Sequence, residues 1–198
     1  KKYYGRESEL IYPPVEIQHF AISDAPKTYF LAGGRLVPYK RFDILVRAFN
    51  RLGLPLKIFG TGQVFEILRR HARPNIEFLG NVSPEQRAQL YANCIAFLHP
   101  HEEDFGITAV EANASGRPVI ALRRGGAEET VIEGITGEFF DEQNWETIAD
   151  HVLSFNPNHF DPTRMREHAK QFDVARFERE LADYVNGLCA KSSLTSDT

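Results

Sequence analysis

The sequence predicts an α/β fold, in which a doubly wound, six-stranded parallel sheet has helices on both faces and carboxyl-terminal helices follow it. Short apolar runs recur six times after residue 28, and a helical pattern follows each of them. Three of the runs stop at a glycine: Gly33, Gly60 and Gly80. Apolar strands without polar alternation are typical of parallel sheets that are covered on both faces. The right-handed crossover rule then favours the strand order 3-2-1-4-5-6.

The individual elements follow from hydrophobic period and from capping signals. The predicted strands are residues 29–32, 56–59, 76–79, 95–98, 119–122 and 137–140. The predicted helices of the alternating region are residues 41–52, 64–72, 84–93, 106–115, 127–132 and 145–154. Ser83 is the expected N-cap of the third helix, because Pro84 follows it and Glu85 and Gln86 lie in the first turn.

Two more helices are predicted after the sixth strand, at residues 162–172 and 174–188. The second has an apolar stripe at helical spacing, made of Phe177, Leu181, Tyr184, Val185 and Leu188. We expect this stripe to be partly exposed, or to pair with a second copy in a crystal.

The domain organisation is predicted as one domain with flanking segments. Residues 1–27 form a linker with a short leading strand at 10–12, and residues 1–6 resemble the tail of an earlier helix. These features predict a fragment of a longer protein. Residues 28–156 form the core, residues 157–190 its carboxyl-terminal helices, and residues 191–198 a polar, disordered tail.

Composition excludes several classes of protein. The chain has 198 residues, 42% hydrophobic residues and a net charge of −4 without a basic block, which argues against nucleic acid as the main partner. No apolar run approaches the roughly 20 residues of a membrane-spanning helix. Cys94 and Cys189 fit neither a metal site nor a disulfide framework, so a reducing cytosol is the expected compartment.

The predicted strand order places a crevice between the first and fourth strands, beside the loops at residues 33–40 and 99–106. Arg35 and Lys40 lie in the first loop, and Gly106 begins the helix after the second. Cations beside a helix N-terminus suit a diphosphate. The alternative is that both cations pair with the acids at residues 102–104 for structural reasons.

Two carboxylates flank the start of that helix. Glu103 precedes it, and Glu111 lies among apolar neighbours, where a buried carboxylate needs a partner such as the diol of a sugar or ribose. The pair could also act as general acid and base in a sugar hydrolase, or could form salt bridges that support the helix start. Gly125 and Gly126 precede another helix and could serve only to make a turn.

No cofactor and no metal are predicted. The first loop is not GxGxxG and no acid ends the second strand, which argues against a nicotinamide-dependent dehydrogenase. His99 and His101 could ligate a metal, but the sequence offers no third ligand nearby. No Asp-x-Asp pair indicates a nucleotide-bound divalent cation.

Three motifs together resemble the retaining glycosyltransferases of family four, whose GT-B fold has two Rossmann-like halves. They are the segment from Gly34 to Arg41, the Glu103-x7-Glu111 spacing with Phe105-Gly106 inside it, and the segment from Gly125 to Glu129. The resemblance covers residues 8–188 and corresponds to the carboxyl-terminal, donor-binding half. The third segment lacks the proline of the family's Gly-Gly-x-Pro-Glu.

The resemblance implies a role for each matching position. Arg35 and Lys40 would hold the diphosphate, and Glu103 would contact hydroxyls of the transferred sugar; these are the three catalytic candidates. Glu111 would bind the ribose diol, and the remaining donor-binding candidates are Gly34, Gly60, Gly62, Asn81, Val82, Phe105, Gly106, Ile107, Gly125, Gly126 and Glu129.

The resemblance also implies a reaction: metal-independent transfer of a hexose, with retention, from a nucleoside-diphosphate sugar to a glycan or a lipid acceptor. The form of the first loop favours mannosyl transfer from GDP-mannose, with a UDP-sugar as the alternative donor, in polysaccharide biosynthesis. The acceptor would bind to the missing half, and the full-length protein could attach peripherally to the inner face of the membrane. A sugar-nucleotide epimerase or phosphorylase of the same architecture, or a non-catalytic nucleotide-sensing module, remains an alternative.

Overall fold

The computed structural model describes Gly5, residues 8–25 and residues 27–195, without the side chains of residues 190–195. The helix tail predicted at residues 1–6, Gly5 excepted, and the last three residues of the predicted tail lie outside this described part. Among the described residues, no helix is long and apolar enough to cross a bilayer.

Six strands alternate with helices, as predicted. The strands are β1 (Tyr29–Gly33), β2 (Leu56–Phe59), β3 (Ile76–Gly80), β4 (Cys94–His99), β5 (Val119–Leu122) and β6 (Gly137–Phe140). The helices are α1 (Phe42–Leu52), α2 (Phe65–His71), α3 (Pro84–Asn93), α4 (Ile107–Ala114), α5 (Ala127–Thr130), α6 (Trp145–Ser154), α7 (Pro162–Ala169) and α8 (Val174–Thr195).

The sheet is parallel throughout, and its order β3-β2-β1-β4-β5-β6 is the predicted one. Neighbouring β1 and β4 pair in the register Tyr29↔Cys94 and Leu31↔Phe97. Because the order reverses there, the loops that leave β1 and β4 diverge and open a crevice at the carboxyl edge of the sheet.

Each face of the sheet has its own hydrophobic core, which confirms the doubly wound class. Phe30 and Ala32 of β1 pack with α1, α2 and α6, whereas Tyr29 and Leu31 pack with α3, α4, α5 and α7. Successive strand residues point to opposite faces, so a strand between two helical layers is apolar at every position. Cys94 is wholly buried at the start of β4.

The capping prediction for α3 is confirmed. The Ser83 side chain accepts a hydrogen bond from the Gln86 N–H, and the Gln86 side chain accepts one from the Ser83 N–H. This capping box fixes the start of α3 immediately after the loop at residues 81–82, and that loop borders the crevice.

The predicted strand at residues 10–12 is wrong. That segment has no strand, and the chain instead forms an isolated bridge between Val15 and Asp173 and one 3-10 turn at Ile17–His19. The prolines after Tyr12 have no N–H to donate to a sheet, and the bridge attaches this segment to the start of α8.

The carboxyl-terminal helices also differ from their predicted bounds. α7 ends at Ala169 and continues as a 3-10 turn, Lys170–Phe172. α8 extends to Thr195, past the predicted end and into the tail that was expected to be disordered. No proline interrupts it, so its backbone hydrogen bonding can continue. The stripe is exposed as expected at Leu181, Tyr184, Val185 and Leu188.

Candidate functional site

The crevice holds a first cavity of about 590 Å³, which we call the Lys40 pocket. It lies where the loop after β1 faces the loop after β4 and the first turn of α4. Its lining residues are Tyr39, Lys40, Glu102, Glu103, Asp104, Phe105, Gly106, Ile107 and Thr108. The loop that carries Lys40 and the predicted N-terminus of the helix at Gly106 therefore line one cavity.

Lys40 and Glu103 form an ion pair in this pocket. The side chain of Lys40 is 10% exposed and that of Glu103 is 22% exposed, so water screens the pair only in part. Lys40 ends a 3-10 turn, Pro38–Lys40, and the next residue, Arg41, caps that turn in the left-handed region with φ 51°. This turn directs the lysine into the crevice rather than along α1.

The charge state of Glu103 follows from its neighbours. Burial raises the pKa of the Glu103 carboxyl, but its contacts with His101 and Lys40 outweigh that effect and lower the pKa to about 2. Glu103 is therefore a carboxylate at neutral pH. The structure therefore supports the alternative in which Lys40 pairs with one of the acids at residues 102–104, namely Glu103. Lys40 nevertheless lines the cavity.

The first turn of α4 offers backbone donors to the same cavity. Gly106 caps the helix with φ +86°, a conformation that glycine adopts freely. Among the described residues, no backbone acceptor pairs with the N–H groups of Gly106, Ile107 or Thr108. Unpaired N–H groups and the positive end of the helix dipole together favour an anion in front of this turn.

A second cavity, of about 320 Å³, adjoins the first, and we call it the Arg87 pocket. Its lining residues are Gly34, Arg35, Phe59, Gly60, Thr61, Asn81, Val82 and Arg87. A side chain built on Gly34 would place its Cβ 3.6 Å from Lys40 Nζ, so the two cavities meet there. Arg35 is exposed and lies on the same edge of the sheet as Gly106, as the predicted site requires.

Glycines form the floor between these cavities. A Cβ on Gly60 would overlap the carbonyl oxygen of Gly34, and a Cβ on Gly62 would overlap that of Leu36. Gly60 also lines the Arg87 pocket, whereas Gly62 lies beneath the backbone of Leu36 and lines neither cavity.

Glu111 is 4% exposed, as the apolar sequence around it predicts. Its Oε1 lies 3.2 Å from a guanidinium nitrogen of Arg87, and its Oε2 has no hydrogen-bond partner among the described residues. Burial raises the pKa of the Glu111 carboxyl, and Arg87 and the neighbouring Tyr91 hydroxyl oppose that shift only in part. The carboxylate therefore retains an acceptor for a further donor, such as a hydroxyl.

The sequence reasoning missed Arg87. The signal that could have identified it is its position on α3, four residues before the wholly buried Tyr91, because residues four apart lie on the same helix face. A buried carboxylate needs a counter-charge, and Arg87 provides it to Glu111 at the wall of the second cavity.

Gly125 and Gly126 support the site from behind. A Cβ on Gly126 would overlap the backbone of Phe105, and the Gly126 N–H donates a hydrogen bond of 2.7 Å to the Glu103 carbonyl. These glycines therefore allow close packing against the loop that carries Glu103, and they line neither cavity. Glu129 is exposed away from both cavities, and its carboxylate raises the pKa of the Tyr12 hydroxyl.

His99 and His101 lie directly beneath Glu103. They are 0% and 2% exposed, and their ring centroids are 4.2 Å apart. Burial lowers the pKa of both imidazoles, that of His99 to about 3. Both are therefore neutral at pH 7.

The fold and the paired cavities define a Rossmann-like α/β domain with a crevice at the topological switch point of its sheet. The sequence profile of the family described as glycosyl transferases group 1 matches residues 16–172. The chain belongs to this family, and the predicted resemblance to the glycosyltransferases of family four is confirmed.

Relatives in other organisms agree with this assignment. An uncharacterized glycosyltransferase of Methanocaldococcus jannaschii is 29% identical over 86% of this chain and 47% of its own length. A GDP-mannose-dependent alpha-(1-6)-phosphatidylinositol monomannoside mannosyltransferase of Mycolicibacterium smegmatis is 32% identical over 68% of this chain and 40% of its own length. The chain thus spans less than half of these two relatives.

Solved structures share the fold. Sucrose-phosphate synthase of Thermosynechococcus elongatus superposes with a TM-score of 0.84 at 22% identity, over 93% of this chain and 53% of that protein. Anabaena HepE in complex with UDP and glucose superposes with a TM-score of 0.78 at 22% identity, over 90% of this chain and 56% of that protein.

Proposed function

We propose that this chain is the donor-binding half of a retaining glycosyltransferase that transfers a hexose, with mannose favoured, from a nucleoside-diphosphate sugar. The observation that carries the proposal is the convergence of Lys40, Glu103 and the first turn of α4 on one cavity. Family membership supports glycosyl transfer, and the two adjoining cavities match a donor with a sugar at one end and a nucleoside at the other.

The diphosphate would lie where the two cavities meet. Lys40 is beside Gly34 at that junction, Arg35 lines the adjoining wall, and the N–H groups at the start of α4 face the first cavity. A diphosphate would compete with Glu103 for Lys40. The exchange frees the Glu103 carboxylate to accept hydrogen bonds from sugar hydroxyls while Lys40 turns to the phosphate.

The nucleoside would occupy the Arg87 pocket. The unpartnered Oε2 of Glu111 is an acceptor for a ribose hydroxyl, and Arg87 keeps a counter-charge on the opposite oxygen. The base would lie against the loop at Asn81 and Val82, which the capping box of α3 holds in place.

The transfer step follows from these positions. As the bond between the anomeric carbon and the phosphate oxygen breaks, negative charge grows on the diphosphate. Arg35, Lys40 and the α4 dipole would stabilise that charge, which is electrostatic catalysis by preorganised groups. With retention, the acceptor hydroxyl enters on the face that the phosphate leaves, and the departing phosphate oxygen is placed to take its proton.

Binding of the acceptor is assigned to a second half of the protein. The relatives are about twice as long as the matched region, and closure of two halves over the donor would exclude water. The proposal therefore expects the 198-residue chain to bind donor without transferring sugar, which assays with GDP-mannose and a glycan or lipid acceptor would check.

The choice of mannose and GDP has separate support. Two relatives are GDP-mannose-dependent or mannosyl-transferring by name, from Mycolicibacterium smegmatis and Dictyostelium discoideum. UDP is the ligand of the Anabaena structure, and UDP-glucose is therefore the competing donor to test.

Calorimetric titration of the chain with GDP-mannose, UDP-glucose and ADP-glucose tests the proposal. We expect GDP-mannose to bind most tightly, and Glu111→Ala to weaken binding at least tenfold, since it removes a charged hydrogen-bond acceptor worth roughly 1.5–3 kcal/mol. Glu77→Ala, an exposed glutamate paired with Lys57 on β2, is the matched control and should bind as the wild type does.

Three outcomes would contradict parts of the proposal. Binding that ignores Glu111 would favour a nucleotide-sensing scaffold, and no binding of any sugar nucleotide at millimolar concentration would remove the donor site altogether. Tighter binding of UDP-glucose than of GDP-mannose would keep the donor site and overturn the mannose assignment.

A further inference from the structure

Two buried histidines beneath the Lys40 pocket have no role in the proposed transfer. None of the four ring nitrogens of His99 and His101 has a well-aligned hydrogen bond among the residues that the structure describes, although His101 Nε2 lies 3.5 Å from Glu103 Oε2. An unpaired buried polar group destabilises a fold, so two such imidazoles side by side favour a bound ligand that pairs with them.

Glu103 supplies the third ligand that the sequence did not reveal. One ligand atom from each of His99, His101 and Glu103 lies within 4.8 Å of the others. His101 Nε2 and Glu103 Oε2 are 3.5 Å apart. In a tetrahedral zinc site, bonds of about 2.0–2.2 Å place neighbouring ligand atoms roughly 3.4 Å apart. One pair therefore already has this spacing, and the third ligand atom lies within 4.8 Å of both.

The donor set suits a transition metal rather than calcium or magnesium. His99, His101 and Glu103 each offer one ligand atom to a common point beneath the Lys40 pocket. Two imidazoles and one carboxylate are borderline ligands of the kind that zinc, cobalt and nickel prefer. The partly exposed Glu103 connects this cluster to the first cavity, and a Cβ built on Gly106 would lie 3.7 Å from the His99 ring.

We propose that His99, His101 and Glu103 form a binding site for a divalent transition-metal cation, and that this cation and Lys40 are alternative partners of Glu103. The cation repels the ammonium group of Lys40, so occupancy of the site breaks the Lys40–Glu103 ion pair. The inference goes beyond the proposed function, which needs no metal. A bound cation would withdraw Glu103 from sugar and thereby inhibit a donor-dependent reaction.

Cobalt is the probe for this site, because its visible absorption reports coordination directly and needs no sugar nucleotide. We expect one equivalent of Co²⁺ to give the intense bands of tetrahedral coordination to the wild-type chain, and one equivalent of Zn²⁺ to remove them. His101→Ala should abolish the bands, and His71→Ala, at an exposed histidine on α2, should leave them unchanged.

Two further variants keep the test valid if His101→Ala fails to fold. Glu103→Gln should weaken cobalt binding at least tenfold. Lys40→Met should strengthen it severalfold, because the competing cation is gone. Bands of equal intensity and affinity in wild type and His101→Ala would overturn the proposal, as would a Lys40→Met variant that binds cobalt no better than the wild type. Neither result bears on donor binding, which is measured separately.

Discussion

Glu103 and Glu111 are eight residues apart in the sequence, yet their environments differ in kind. Glu103 lies between a lysine and a histidine, and those contacts lower its pKa to about 2 despite burial. Burial dominates at Glu111, raising its pKa, and Arg87 compensates only in part. The comparison teaches that motif spacing places two carboxylates at one crevice. The residues that contact them from other elements determine the charge state of each carboxylate.

Gly126→Ala gives the largest expected effect. It alters the environment of Glu103 and leaves that of Glu111 unchanged. The added Cβ would overlap the Phe105 backbone and displace the loop that carries Glu103. Overpacking of this kind costs about 3 kcal/mol, to be measured as the free energy of unfolding in urea.

Gly187→Ala on α8 is the control for that substitution, because its Cβ meets nothing within 4 Å. It should stabilise the chain by up to about 1 kcal/mol through helix propensity. Equal losses in the two variants would show that the packing of Gly126 is not what holds the Glu103 loop.

Lys40→Met gives the next largest effect. It leaves the half-buried Glu103 carboxylate without its ammonium partner, and we expect a loss of about 2 kcal/mol, below the range for fully buried pairs because Glu103 is 22% exposed. Lys57→Met removes the exposed partner of Glu77 and should cost less than about 1 kcal/mol. Urea unfolding of both variants measures the difference, and equal costs would contradict the special environment of the first pair.

The smallest effect is a pH dependence on the Glu111 side. The folded-state pKa of Glu111 lies above its ordinary value of 4.5, so between the two values the folded chain binds more protons than the unfolded chain. The free energy of unfolding therefore falls as pH rises from about 4.5 through the folded pKa. Glu111→Gln cannot titrate, so its stability relative to wild type should rise over this interval in urea unfolding.

Arg87→Met and Arg87→Lys sharpen the same test. Removing the guanidinium raises the pKa of Glu111 further, so the methionine variant should lose stability more steeply with pH than the wild type. The lysine variant keeps a cation and should follow the wild-type profile more closely. Parallel profiles for all three proteins would mean that Arg87 does not set the charge state of Glu111.

Most of the fold could be predicted from the sequence because its signals are local. Short apolar strands that stop at glycine, and the Ser83 cap before Pro84, determine where elements begin and end, and the crossover rule orders them. The predicted strand at residues 10–12 was wrong because a strand forms only beside another strand to which its backbone can hydrogen-bond, and the sequence does not show which segments lie side by side. Only the folded chain shows that Val15 meets Asp173 in an isolated bridge.

The site was predictable to a smaller extent. Lys40, Glu103 and Gly106 meet as expected, since parallel strands bring their following loops to one edge. The pairing of Arg87 with Glu111 and the position of Glu103 above His99 depend on how helices and loops pack in three dimensions. Sequence spacing carries no information about such contacts between elements.

The floor of the crevice limits how a protein of this kind can change its ligand. At Gly60, the backbone of Gly34 in the loop after β1 occupies the position of any Cβ atom. Any other residue at this position would have to displace that backbone. Under the proposed function the base contacts the opposite wall, so substitutions at Asn81, Val82 or Arg87 are the ones that we expect to change the nucleotide preference. A mutational library aimed at donor choice should therefore be concentrated on those three positions.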